Sequence, residues 1–210
     1  GKDFKPVDEP ETILDPPTVI PEDPAIEGTN YKAGLYKDGV YVNEYAGIKL
    51  NVPKNLNYFP VQPEEKEEYI AELTDETEIA VETATVTDTI FGNPTESIGV
   101  FFINTKMLLP VLFPDKDEIT EEDALDYYRA YIANVAEKQN FEFDYKDRKK
   151  VTIAGKEYLR DVAFYDGAET NYEAFTMRKI DDDIMCFLHY TSNEPEKTPE
   201  YYESLFEEIK

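Results

Sequence analysis

The sequence is poor in the residues that common catalytic and metal sites require. It contains one cysteine, Cys186, one histidine, His189, no tryptophan and only nine glycines in 210 residues. A single cysteine excludes an intrachain disulfide and a cysteine-rich zinc site. The chain also has no His-Glu-x-x-His motif, no Gly-x-Ser-x-Gly motif and no glycine-rich phosphate-binding loop. These absences argue against zinc hydrolases, elbow-type serine hydrolases and nucleotide-binding folds.

Positive charge is scarce as well. The chain has 46 acidic and 21 basic residues, which gives a formal net charge of −25. Such a surface repels the phosphates of nucleic acids and the headgroups of anionic lipids. No stretch reaches the length of about 18 apolar residues that is typical of a membrane-spanning helix. We therefore expect no nucleic-acid partner and no electrostatic docking of the domain on a membrane surface.

Residues 1–30 have the composition of a linker. They hold eight acidic residues, two lysines and six prolines, namely Pro6, Pro10, Pro16, Pro17, Pro21 and Pro24. Proline at this density prevents helices and central strands, and the acidic residues repel one another. The sequence predicts a disordered, extended spacer, which is either a terminus without a role or a stalk that lifts a domain off a surface.

Residues 31–210 carry the patterns of a single folded domain. Turn signals at Asp38-Gly39 and Ala46-Gly47 separate runs rich in valine, tyrosine, isoleucine and leucine, as in β-hairpins. Further strands are predicted over residues 79–91 and along "SIGVFFINTK", while residues 107–113 fit an extension of the sheet or a buried loop. The segments "NYEAFTMRKI" and "IMCFLHYTS" are predicted to form a hairpin, with the turn at the three aspartates 181–183.

Three helices are predicted, over residues 63–73, 121–139 and 199–209. The second has the clearest signal, because Thr120 and Asp123 form a capping box ahead of an apolar stripe. The last is predicted from the helical spacing of four apolar residues, which are Tyr202, Leu205, Phe206 and Ile209. Strands joined by hairpins and interrupted by helices predict an α+β fold, in which an antiparallel sheet packs against helices.

The residues that most resemble a catalytic or metal site have simpler interpretations. Cys186 and His189 are three residues apart in a predicted strand, so their side chains point to opposite faces and cannot form a dyad. Residues 115–126 resemble a calcium loop, but Thr120 occupies the sixth position, where such a loop needs glycine. We therefore predict no catalytic, cofactor-binding or metal-binding residue and no cofactor.

The sixteen tyrosines leave two interpretations open. Their high propensity for strands explains many of them. Some could instead line a binding groove, because tyrosine supplies a large contact area with a polar tip. Acidic residues are so frequent that a glycosidase-type carboxylate pair can be neither identified nor excluded from the sequence.

Three segments resemble the PsbP/Mog-type domains. They are "YVNEYAGIKLNVPKNLNYF", "VTIAGKEYLRDVAFYD" and "FTMRKIDDDIMCFLHYTSNEPEKTPEYYESLFEEIK", and together they span roughly residues 34–210. The resemblance lies in the pattern of predicted strands and helices and not in a set of signature residues. Where relatives often have tryptophan after the proline of the first segment, this chain has Tyr58, and no functional residue of the photosynthetic or Ran-binding members is matched.

The resemblance implies an α-β-α sandwich with a central antiparallel sheet and helices on both sides. It also implies a secreted lipoprotein of a Gram-positive bacterium, anchored on the outer face of the cytoplasmic membrane, with residues 1–30 as its spacer. We expect a monomeric, non-enzymatic module that binds a protein, peptide or small ligand at the cell envelope. The alternative is a hydrolase that acts on envelope polymer through carboxylates.

Overall fold

The computed structural model describes residues 23–210. Residues 1–22, which make up most of the predicted spacer, lie outside this range. Residues 23–30 were also assigned to the spacer, but here they pack on the domain. Ala25 is buried, and its carbonyl accepts a hydrogen bond of 2.9 Å from the side-chain amide of Asn104. Asp23 forms a salt bridge of 2.8 Å with Lys66. The packed structure therefore extends N-terminal to the predicted boundary at residue 31.

The described residues form twelve strands and five helices. The strands are β1 Leu35–Lys37, β2 Val40–Asn43, β3 Ile48–Asn51, β4 Asn57–Phe59, β5 Thr85–Asn93, β6 Glu96–Asn104, β7 Phe143–Tyr145, β8 Lys149–Ile153, β9 Lys156–Tyr165, β10 Ala168–Lys179, β11 Ile184–Ser192 and β12 Phe206–Glu208. The helices are α1 Pro63–Glu72, α2 Glu76–Thr83, α3 Thr105–Leu112, α4 Glu121–Gln139 and α5 Pro199–Ser204.

The strands form two antiparallel sheets. The large sheet has eight strands in the order β4-β5-β6-β11-β10-β9-β7, and β8 pairs with β9 on the same side as β7. The small sheet has the order β1-β2-β3-β12, so the last strand pairs with the third. The α+β prediction with a central antiparallel sheet is confirmed.

The two faces of the large sheet are covered by different layers. Helices α2, α3 and α4 pack on one face, where Phe175, Met185 and Phe187 belong to their core. The small sheet and α5 cover the other face, where Cys186 and Tyr190 are fully buried. Helices thus lie on both sides, as predicted, but most of the second layer is a sheet.

Two predicted segments fold differently. The first half of the predicted strand 79–91 belongs to α2, because the Asp75 side chain caps this helix by accepting a hydrogen bond from the backbone N–H of Glu78. Residues 107–113 were expected to extend the sheet or form a loop. They lie mostly in α3, which the Asn104 side chain caps by accepting from the N–H of Met107.

The predicted closing helix is also shorter than expected. Helix α5 ends at Ser204, and residues 206–208 form β12 beside β3. Tyr202 and Phe206 are buried as predicted, but Ile209 is 40% exposed. Successive side chains of a strand point to opposite faces. Ile209, three residues after Phe206, is therefore no longer placed on the inner face as it would be in a helix.

A buried carboxylate ties α4 to the large sheet. The side chain of Asp161 in β9 accepts hydrogen bonds of 2.6 and 2.9 Å from Arg129 in α4. It accepts two more, each of 2.9 Å, from Arg148. Burial alone would raise the pKa of Asp161, but the hydrogen bonds from the two guanidinium groups outweigh it and hold the pKa below its usual value.

We expect Asp161→Asn to make the stability of the domain less dependent on acidic pH. Because the pKa of Asp161 is lower in the folded state, its stabilisation is present above the unfolded-state pKa of about 3.9 and is lost as the pH falls towards the folded-state pKa. Melting temperatures measured between neutral and acidic pH should therefore fall less steeply in the variant than in the wild type. Asp117→Asn, at an exposed site, is the matched control and should keep the wild-type slope. An unchanged slope in Asp161→Asn would contradict the prediction.

Candidate binding cleft

A cleft of about 610 Å³ opens beside β9, on the face of the large sheet that also carries the small sheet. Its floor is formed by Arg160, Val162 and Phe164. Successive side chains of a strand point to opposite faces, so these three point into the cleft while Asp161 points to α4. Val162 and Phe164 pack into the core, and they give the cleft an apolar floor.

A bulge in the edge of the sheet forms the first wall. Tyr145 pairs with Ala163 and Lys149 pairs with Arg160, so the edge strand has one residue more than β9 over this stretch. A bulge redirects the side chains around it. Lys146 is turned into the cleft, where its Nζ lies 4.9 Å from the ring centroid of Phe164.

The loop before α5 forms the opposite wall, and Lys197 fixes its position. The Lys197 ammonium lies 2.7 Å from the buried carboxylate of Glu96. The backbone carbonyl of Lys197 accepts a hydrogen bond of 2.7 Å from the Tyr172 hydroxyl. Burial would raise the pKa of Glu96, but hydrogen bonds from Lys197 and Tyr202 lower it below its usual value. Pro195 and Pro199, which also line the cleft, limit the backbone freedom of this loop.

The lining of the cleft is balanced in charge although the chain as a whole is strongly acidic. Its ionisable side chains are four basic and four acidic residues, Lys146, Lys149, Arg160, Lys197, Asp147, Glu169, Glu194 and Glu200. Several of them pair across the opening, as Lys146 does with Glu169 at 2.8 Å and Lys149 with Glu200 at 3.8 Å. The cleft therefore offers both signs of charge around an apolar floor, which suits a ligand with mixed polarity.

Two carboxylates of the cleft, Glu200 and Glu169, are poorly suited to act as general acids. Burial would raise the pKa of Glu200, but a backbone hydrogen bond and the charge of Arg160 hold it below its usual value. The hydrogen bond from Lys146 likewise lowers the pKa of Glu169. A general acid needs a raised pKa to hold its proton near neutral pH, and these two groups are shifted in the opposite direction.

Cys186 and His189 lie on opposite faces of β11, as the sequence predicted, and neither lines the cleft. Cys186 is fully buried, and burial raises the pKa of its thiol to about 12, so it is unreactive at neutral pH. The ring of His189 lies on the helical face, with its centroid 5.1 Å from that of Phe175 and 5.5 Å from that of Phe187.

His189 is hydrogen-bonded to a glutamate. Its Nε2 lies 2.6 Å from Glu173 Oε1, and the Tyr165 hydroxyl donates to the other oxygen of Glu173 at 2.5 Å. Burial would raise the pKa of Glu173, but the hydrogen bond with His189 keeps it below its usual value. In residues 23–210, His189 has no hydrogen bond to a serine, threonine or cysteine that it could activate as a nucleophile.

The segment that resembled a calcium loop and the turn of three aspartates both have structural roles. Thr120 and Asp123 form a reciprocal capping box at the start of α4, and Lys116 pairs with Asp123 at 2.5 Å. Asp181 accepts hydrogen bonds of 3.0 Å from the N–H groups of Asp183 and Ile184, and so closes the β10–β11 turn. No group of three histidine, cysteine, aspartate or glutamate side chains in residues 23–210 is placed to hold a metal ion.

The tyrosines divide between the two interpretations that the sequence left open. Most pack in the core, and five of them are among the largest fully buried side chains, namely Tyr41, Tyr158, Tyr172, Tyr190 and Tyr202. Four others line a small groove among α1, α2 and α4, and they are Tyr69, Tyr127, Tyr128 and Tyr131. A tyrosine-lined groove is therefore present, separate from the cleft.

Sequence reasoning did not find the cleft residues. They come from three distant segments, 145–149, 160–170 and 194–200, which only the strand order brings together.

Comparison with known proteins finds similarity to solved structures. No family model and no curated protein matches the chain. The solution structure of cyanobacterial PsbP from Synechocystis is similar, with 11% sequence identity over 87% of this chain and 96% of that chain and a TM-score of 0.44. None of the helices in residues 23–210 has the length and apolar character needed to cross a membrane.

Proposed function

We propose that this chain is a non-enzymatic binding module and that the cleft beside β9 binds an extended peptide segment of a partner protein. The observation that carries the proposal is the apolar floor of Val162 and Phe164 within a lining that carries both signs of charge. Peptide ligands present apolar and charged side chains together, and specific sites combine an apolar surface with a few placed polar groups. A purely acidic ligand would be repelled by the glutamates of the cleft, and a purely basic ligand would be repelled by its lysines.

We further propose that the domain works as a monomer outside the cell, held by a lipid anchor at the outer face of the cytoplasmic membrane. The support is the composition of residues 1–22, whose prolines and acidic residues suit a spacer between an anchor and a domain. A spacer of this kind would let the cleft reach partners in the cell envelope.

A display library of random peptides tests the binding site. Peptides selected on the wild-type domain should bind about tenfold or more weakly to the double variant Lys146→Glu, Lys149→Glu, because two charges on one wall of the cleft are reversed. Both lysines are exposed, so the variant should fold normally. The control is Lys150→Glu, an exposed lysine outside the cleft, which should leave peptide affinity unchanged.

Other outcomes would overturn the proposal. Failure to enrich any peptide, or peptides that bind the double variant as well as the wild type, would show that the cleft is not a peptide site. Release of soluble fragments from purified cell wall, abolished by Glu194→Gln or Glu200→Gln, would support the carboxylate-dependent hydrolase instead. The double replacement Cys186→Ala, His189→Gln should leave peptide binding intact, because neither residue lines the cleft.

A further inference from the structure

A second pocket lies on the opposite face of the large sheet from the cleft. Four tyrosines from two helices surround it, together with three residues of α2, Glu78, Val81 and Glu82. We call it the tyrosine pocket; its volume is about 90 Å³. That volume suits one small head group and is well below the several hundred cubic ångströms typical of sites for larger ligands.

The rings form an open aromatic surface. Tyr127 and Tyr131 are one turn apart on α4, and their rings stack with centroids 6.5 Å apart and an interplanar angle of 26°. The Tyr128 ring lies edge-on to Tyr127, with centroids 5.1 Å apart. Tyr69 and Tyr131 are 47% and 37% exposed, so the mouth of the pocket is aromatic and open to solvent. Exposed tyrosines on two neighbouring helices are unusual in a chain whose other tyrosines are mostly buried.

Two carboxylates border these rings without forming a salt bridge. Among the ion pairs of residues 23–210, none includes Glu78 or Glu82, which are one turn apart on α2. Lys66, the one basic residue of the facing helix α1, lowers the pKa of Glu82 through its charge, but its contacts are with Asp23 at 2.8 Å and with the carbonyl of Thr83 at 3.2 Å. Burial raises the pKa of Glu82 above its usual value, as expected for a partly buried carboxylate that lacks full compensation.

Aromatic rings and carboxylates together are complementary to organic cations. The face of a tyrosine ring carries negative potential and attracts cations, and the two glutamates add formal negative charge. We propose that the tyrosine pocket binds an alkylammonium group, with a trimethylammonium head as its best ligand. A primary ammonium is strongly hydrated and needs hydrogen-bond acceptors on all sides, which the ring faces do not supply. A trimethylammonium head needs none, and its methyl groups fit against the rings.

This site is independent of the peptide cleft. The two lie on opposite faces of the sheet and share no residue. The net charge of −25 adds a long-range attraction for cations, which raises their concentration near the pocket. A ligand could therefore occupy the tyrosine pocket whether or not the cleft is filled.

Titration with choline, followed by NMR, tests the proposal on the whole chain. The matched neutral probe is 3,3-dimethyl-1-butanol, which has the shape of choline without its charge. Choline should bind about tenfold or more tightly than this probe, because only the cation interacts with the ring faces and glutamates. Its N-methyl proton signal should move upfield on binding, since the methyl groups would lie over aromatic rings.

Variants of single pocket residues separate the contributions of the rings and of the charge. Tyr131→Leu removes a ring from the mouth and should weaken choline binding several-fold, while Tyr131→Phe keeps the ring and should bind like the wild type. Glu82→Gln should weaken choline binding and leave binding of the neutral probe unchanged. The cleft variant Lys146→Glu, Lys149→Glu should bind choline normally, so failure of the peptide proposal would not affect this one.

Three results would overturn the inference. They are equal affinity for choline and the neutral probe, choline binding that is unaffected by Tyr131→Leu, and backbone amide shifts confined to residues outside α1, α2 and α4. Co-sedimentation with phosphatidylcholine vesicles, competed by free choline, would identify the ligand as a lipid headgroup. Choline binding without co-sedimentation would identify it as a free small molecule or a methylated side chain, and either result supports the pocket chemistry.

Discussion

Phe206→Ala is expected to lower the free energy of unfolding by about 3–5 kcal/mol, whereas Ile209→Ala should change it by less than about 0.5 kcal/mol. Phe206 is 4% exposed and lies in the core between the two sheets, where its strand pairs with Leu50. Its replacement by alanine leaves a cavity that the neighbouring strands can fill only in part. Ile209 follows the strand and is 40% exposed, so its truncation removes few contacts.

Equilibrium unfolding in urea measures both variants. The pair distinguishes a strand from a continued helix, because a helix through residue 209 would bury Ile209 on the same face as Phe206. Comparable losses at the two positions would therefore contradict the assignment of β12. A neutral Phe206→Ala would show that the C-terminal residues do not pack on the large sheet at all.

Arg160→Met should destabilise the domain by about 3–5 kcal/mol, because it leaves Glu203, a buried residue of α5, as an unpaired charge. The Arg160 side chain is 5% exposed and that of Glu203 is 8% exposed, and one guanidinium nitrogen lies 2.6 Å from both carboxylate oxygens. The Tyr190 hydroxyl also donates to Glu203. Burial raises the pKa of Glu203, and this shift is only partly opposed by Tyr190 and Arg160.

A double-mutant cycle isolates the energy of this pair. Glu203→Gln keeps an acceptor for Tyr190 and removes the charge, so Arg160→Met combined with Glu203→Gln should cost less than the sum of the two single changes. The exposed pair of Lys150 and Glu157 provides the control, and Lys150→Met should be nearly neutral. Additive losses in the cycle would show that Arg160 and Glu203 do not depend on each other.

The parts of the fold that could be predicted are those with strong local signals. Helix α4 has the predicted bounds because the Thr120–Asp123 capping box marks its start and its apolar stripe persists for several turns. The β10–β11 hairpin is correct because alternating apolar runs flank a turn whose Asp181 side chain closes it. In such segments, the local sequence preference and the tertiary structure agree.

The errors arose where local preference and tertiary context differ. Ile79, Val81 and Thr83 are β-branched residues that favour strands. The Asp75 cap and packing of α2 against α3 nevertheless make this segment helical. Helix α3 contains Pro110, which argues against a helix by local rules. Phe206 has helical spacing with Tyr202, but an unpaired edge of β3 was available for it.

The position of neither site, the cleft or the tyrosine pocket, could be predicted from the sequence. The cleft depends on a bulge between Tyr145 and Lys149 and on a loop some fifty residues later along the chain, and no local pattern relates the two. The tyrosine pocket was closer to prediction, because a groove lined by tyrosine was one of the two interpretations. The sequence alone does not reveal how α1, α2 and α4 pack, which brings four tyrosines and two glutamates to one pocket.

The pairing of β3 with β12 affects how the chain can fold as it is made. A chain that is synthesised or exported from its N-terminus presents Ile48 and Leu50 long before their partner strand exists. Until Phe206 emerges, β3 is an open edge with apolar side chains beside it, a surface that proteases and other chains can attack. Contacts between residues so distant in sequence also form slowly. The second layer therefore closes only when β12 has been added. A nascent chain that stops short of this strand stays vulnerable to degradation.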